Sequence, residues 1–111
     1  MVKIVERPWG SFKEFAKNKR CTVKLIEINP KQELSLQKHQ KREENWYFLT
    51  PGIVQVGNKK IKVREGSIIK IKKLQAHRVI ADNKEVKFLE ISLGKFSEKD
   101  EVRLEDKYNR K

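Results

Sequence analysis

The stretch LSLQKHQKREENWYFL, residues 34–49, begins and ends like β-strand, yet its middle holds a glutamine, a histidine, lysines and glutamates. In a strand, side chains two apart share a face. Leu34 and Leu36 therefore point one way. Ser35, Gln37 and His39 point the other, with Lys41 following if the strand continues. Beyond a bend, Glu44 and Trp46 share a face. Polar groups in such a run line either a wet surface or a site.

The rest of the chain repeats the strand pattern. Residues 11–15 alternate apolar and polar, and Cys21 to Ile28 is rich in β-branched residues and stops at Asn29-Pro30. Asn45 to Thr50 is aromatic and aliphatic, and Thr50-Pro51-Gly52 turns the chain. Ile53 to Val56 and Lys60 to Arg64 flank Gly57-Asn58, a hairpin signal. Ser67 to Lys72, His77 to Ala81 and Val86 to Leu93 complete the series. Short strands at this spacing, with turns between them, predict an all-β sandwich or barrel. Only the tail from Ser97 reads as irregular or briefly helical. Residues 1–111 make one domain with one core and no linker or repeat.

Composition sets the class. Apolar residues are 37% and charged residues 38%, with a formal net charge of +12. That charge admits nucleic acid, anionic membrane or phosphorylated small molecules as partners. Lysine outnumbers arginine 20 to 7, the pattern of a lysine-coated, thermophile-like surface. The lone Cys21 excludes an intrachain disulfide and a cysteine zinc cluster. There is no apolar run long enough for a membrane span and no signal peptide, so the expected location is the cytoplasm.

Gln37 and His39 can project side by side into a barrel. Glu44 can reach in from the next strand, and His77 from a later one that carries Val79 and Ala81 on the same face. A glutamine oxygen, two imidazoles and a carboxylate suit a divalent transition metal: Zn, Mn, Co or Fe. The alternative is two unrelated histidines.

Three segments carry a family resemblance. Arg7-Pro8-Trp9-Gly10-Ser11-Phe12 looks like R-P-W-G-x-[YF]. Leu34-Ser35-Leu36-Gln37-x-His39, leading to Arg42, Glu44 and Trp46, looks like L-S-L-Q-x-H-H-H-R-x-E-H-W. Asp100 to Asp106, with Tyr108 and Arg110, looks like D-I-V-R-x-E-D-x-Y-G-R. These motifs belong to the cupin domain of the type II mannose-6-phosphate isomerases, which this chain resembles. In that family the domain often ends a bifunctional enzyme whose other part is a mannose-1-phosphate guanylyltransferase, and no Gly-rich nucleotide loop of that part is seen here. The resemblance implies a cupin, a double-sheeted β-barrel with its site in the lumen. It also implies interconversion of mannose 6-phosphate and fructose 6-phosphate.

The departures fall on the site. The family's three histidines are His39-Gln40-Lys41 here, Asn45 replaces the histidine before Trp46, and one residue is added near Thr50-Pro51-Gly52. Its P-A-G-T-P-H-R loop is residues 72–78, keeping only His77 and Arg78 at its end. The type I mannose-6-phosphate isomerases, also cupins, use a Q-x-H pair, a glutamate in E-x-W-Y and a distant histidine. Gln37, His39, Glu44-Asn45-Trp46-Tyr47 and His77 resemble that set, which needs no histidine at 41.

The implied reaction moves a proton between C1 and C2 through an enediol. It needs an electrophile at the oxyanion, a proton carrier and cations for the phosphate. With Glu44 and His77 on metal, Lys41 or Glu43 carries the proton; Lys41, Arg42 and Arg78 hold the phosphate. Phe88, Ile91 and Leu93 read as core or interface, and a homodimer would cover the sheet edges. The segment from Arg7 to Phe12 is expected to pack a strand on the barrel or on a neighbouring subunit. Two other readings compete: a non-catalytic cupin that binds a sugar phosphate or sugar nucleotide, and a nucleic-acid-binding barrel. The last is weakest, because the aromatics sit inside strands and make no stacking platform.

Overall fold

The computed structural model describes residues 2–94 and 97–108. Arg110, the end of the tail motif, lies outside the described residues. The strands are β1 (Lys3–Arg7), β2 (Gly10–Glu14), β3 (Cys21–Ile28), β4 (Leu36–His39), β5 (Glu43–Phe48) and β6 (Gly52–Val56). They continue with β7 (Lys59–Val63), β8 (Ile68–Ile71), β9 (His77–Ile80), β10 (Val86–Leu93) and β11 (Glu101–Glu105). A four-stranded sheet in the order β3-β10-β5-β8 faces a five-stranded sheet in the order β11-β4-β9-β6-β7. All recorded pairings are antiparallel. No helix among the described residues is long and apolar enough to cross a membrane.

Alternation builds the core. On β5, Trp46 and Phe48 point inward and meet Phe88 of β10, with Phe48 and Phe88 stacked at 5.0 Å and Trp46 and Phe88 at 5.1 Å between centroids. Val54, Val79, Ile71 and Val86 close the cluster from β6, β9, β8 and β10. Phe88 pairs with Phe48, Glu90 with Trp46 and Ser92 with Glu44. Along this ladder the inward positions change from aromatic to acidic. One end of the barrel is therefore dry and the other polar, and the polar end forms the site.

One stretch differs from the sequence-based expectation. The tail is a strand: a short 3-10 turn (Glu98–Asp100) leads into β11, which pairs with β4. Its Glu-Val-Arg-Leu-Glu alternation carries Val102 and Leu104 outward, where they stay exposed. Among the described residues, the strands of the amino-terminal segment pair with each other, β1 with β2. Its turn leaves Trp9 73% exposed. The hairpin meets the barrel where Phe15 packs edge-on against Tyr47 at 5.6 Å.

Candidate functional site

At the polar end, β4, β5 and β9 bring His39, Glu44 and His77 together, each buried, with ligand atoms within 4.8 Å of one another. Their cavity measures about 130 Å³, and Gln37, Arg42, Glu90 and Glu101 line it as well. Glu44, 1% exposed, is the hub. Its Oε1 accepts from Trp46 Nε1 at 3.0 Å, and its Oε2 accepts from Arg42 Nε at 2.9 Å and Ser92 Oγ at 3.1 Å.

His77 is oriented as a donor of electrons. Its Nδ1 donates to the Gln75 carbonyl at 2.7 Å. The lone pair of Nε2 therefore faces the cavity, 4.0 Å from Glu44 Oε1. This is the arrangement that fixes the tautomer of a metal-ligating histidine. Burial lowers the His77 pKa, against the Gln75 hydrogen bond and the charge of Glu44, which raise it. Gln37 lies across from His77 on the neighbouring strand. Its Oε1 is buried and has no hydrogen-bond partner among the described residues. Two imidazoles, a carboxylate and an unmatched amide oxygen fit a divalent ion in mixed nitrogen and oxygen coordination.

The other candidates lie elsewhere. Lys41 is exposed and does not line the cavity. β4 ends at His39, so the alternating face does not extend to 41. The bend is held by Asp100, whose carboxylate accepts from the Gln40 and Lys41 amides at 3.0 and 2.9 Å. Glu43 faces outward to Lys70 at 3.6 Å, on the side of β5 opposite Glu44. Arg78 follows His77 and so points to the other face of β9, where it binds Glu33 at 2.6 Å and Glu105 at 3.2 Å. Arg42 is inside, but against the candidate ligands: its Nη2 donates to His39 Nε2 at 2.8 Å. Leu34, placed by alternation on the opposite face from Gln37, lines the cavity, because regular strand begins only at Leu36.

Asp100→Ala should free the 40–41 bend and cost about 1 kcal/mol, the net scale of exposed hydrogen bonds whose acceptor water can replace. Urea unfolding of the variant measures it.

Glu90, Glu101, Ser92 and Lys24 are site residues that the sequence reading missed. Burial, then the charge of Glu44, pushes Glu90 up to about 7, while Lys24, Arg42 and His39 pull it down. The signal was present: Glu90 shares an alternating face with Phe88 and Ser92, and Lys24 one with Ile26 and Ile28.

Comparison with known proteins agrees with this fold. The family model described as mannose-6-phosphate isomerase C-terminal matches residues 1–106. The alginate biosynthesis protein AlgA of Pseudomonas aeruginosa is 34% identical over 110 residues, covering 96% of this chain and 23% of that protein. Mannose-1-phosphate guanylyltransferase ManC of Salmonella typhimurium is 31% identical over 113 residues, covering 99% of this chain and 24% of that protein. The chain thus spans about a quarter of the length of these curated relatives. A cupin protein from Bacteroides fragilis superposes with a TM-score of 0.63 at 19% identity, over 69% of this chain and 68% of that one. The barrel is a cupin.

Proposed function

We propose, for a chain that belongs to the mannose-6-phosphate isomerase C-terminal family, a cupin that holds a divalent metal and isomerises a sugar phosphate of the mannose 6-phosphate and fructose 6-phosphate type. The observation that carries the reading is the convergence of His39, Glu44 and His77 with the partnerless Gln37 Oε1 in one cavity. These four residues would hold the ion. When bound, it supplies Lewis-acid stabilisation of the developing oxyanion.

The chain's own residues do the rest. Glu90 lines the cavity, and burial raises its pKa to about 7 in the metal-free protein. From the cavity wall its carboxylate can take a proton from one sugar carbon and return it to the next. Glu90 replaces Lys41 and Glu43 in that role, since both face away from the cavity. Lys24, also on the cavity wall, is the cation for the anionic end of the sugar, in place of Arg78. The cavity is smaller than the roughly 300–1,000 Å³ of ordinary ligand pockets. It takes the reacting carbons and leaves the phosphate at the mouth.

Mannose 6-phosphate incubated with the cobalt-loaded protein in D₂O is the test. Appearance of fructose 6-phosphate is expected, with deuterium at C1 to the extent that the proton on Glu90 exchanges with solvent, together with its loss in Glu90→Gln. Binding without turnover supports the non-catalytic reading, which Arg42 favours by bonding both His39 and Glu44.

A homodimer is part of the same reading. The hairpin exposes Ile4, Trp9 and Phe12, and the outer face of β3 exposes Val23 and Leu25. Burying such surface against a second copy offsets its exposure to water. Sedimentation should give a dimer for the wild type and a shift toward monomer for Trp9→Ser; a wild-type monomer contradicts the pairing.

A further inference from the structure

We infer that Arg42 is a built-in competitor of the metal: its guanidinium and a divalent ion exclude each other at His39, so the ion must displace Arg42 to bind. The inference rests on the metal reading above.

The argument is one of lone pairs. A guanidinium has donors and no acceptor. At 2.8 Å from Arg42 Nη2, His39 Nε2 must supply an accepting lone pair, which puts the proton of a neutral ring on Nδ1. A neutral imidazole has only one lone pair, and Arg42 has taken it. Coordination through Nε2 removes that acceptor directly. Coordination through Nδ1 moves the proton to Nε2, where it meets the N–H of Arg42 head-on. By either nitrogen, His39 cannot bind metal and keep Arg42.

The same guanidinium also covers Glu44 Oε2 at 2.9 Å, so one cation sits on two of the four candidate ligands. Two positive charges at one carboxylate repel, which sharpens the competition. A displaced Arg42 has a place to go. Its Nη1 is tethered to the Ser97 carbonyl at 3.0 Å. The Glu101 carboxylate lies in the same cavity, 4.0 Å from His39 Nε2. Arg42 therefore turns from His39 and Glu44 toward Glu101 as the ion enters. The device selects for ions that bind strongly enough to displace an internal cation.

Titration calorimetry with Co²⁺, on chelator-stripped wild type and Arg42→Met, is the test. Methionine keeps the bulk and removes the donors. We expect Arg42→Met to bind Co²⁺ at least about tenfold more tightly, the effect of removing a competing contact of about 1.4 kcal/mol or more. Equal or weaker binding by folded Arg42→Met overturns the competition while leaving the metal reading intact. No Co²⁺ binding by either protein overturns the metal reading, and the competition with it. A second measurement needs no variant. Long-range ¹⁵N–¹H correlation on stripped wild type should find His39 as the Nδ1–H tautomer; added Zn²⁺ should shift the Nε2 resonance if it binds there, or move the proton to Nε2 if it binds Nδ1. An Nε2–H tautomer in the stripped protein overturns the inference by itself, whether or not Arg42→Met folds.

Discussion

Glu44→Ala should destabilise the fold by about 3–5 kcal/mol, the cost of removing one partner of a buried ion pair. Arg42 would keep a buried charge without the carboxylate that Nε contacts at 2.9 Å. Trp46 Nε1 and Ser92 Oγ would lose their bonds to the same group. A small domain has only about 5–15 kcal/mol in all, so the loss is a large share of the total. Arg42→Met should cost less, because Trp46 and Ser92 still donate to Glu44. Glu44→Leu combined with Arg42→Met should be less damaged than Glu44→Ala, since no buried charge is left alone. Thermal and urea unfolding of the three variants give the order. Glu44→Ala as stable as wild type would mean that the carboxylate is not the hub.

Glu90 makes stability fall as pH rises. Its folded pKa is raised from the ordinary 4.5 to about 7. Between those values the folded protein holds a proton that the unfolded chain releases, so folding weakens through this window. Above pH 7 the cost is complete at about 3 kcal/mol. In chelator-treated protein, Glu90→Gln should therefore be more stable than wild type at pH 8, by up to that amount, and should gain nothing below pH 4.5. Unfolding at three pH values checks the sign. A Glu90→Gln that is less stable at pH 8 would mean that Glu90 is held there as a charged partner of Lys24.

Much of the site was legible because a strand's period is short and strict. Gln37 and His39 share a face by alternation alone, as do Glu44 and Trp46, and the cavity contains all of them. His77 followed from Val79, buried on the same face of β9. What failed depended on contacts distant in sequence. The strand face ends before Lys41 because of Asp100, 59 residues further on. Arg78 is turned away from the cavity and held by Glu33 and Glu105. An arginine reads as surface from sequence, yet Arg42 is buried because Glu44, His39 and Ser97 accept hydrogen bonds from its Nε, Nη2 and Nη1. The tail misled for a different reason: its alternation carries only two apolar residues, Val102 and Leu104, and both stay exposed.

Metal content per chain tests the central reading most directly. Protein purified without a histidine tag is incubated in turn with Zn²⁺, Mn²⁺, Co²⁺ and Fe²⁺, desalted and analysed for metal and protein. The His39, Glu44, His77 and Gln37 donor set predicts about one ion per chain with at least one of these metals, and loss of that ion in His77→Ala. Less than about a tenth of an equivalent with every metal would contradict it.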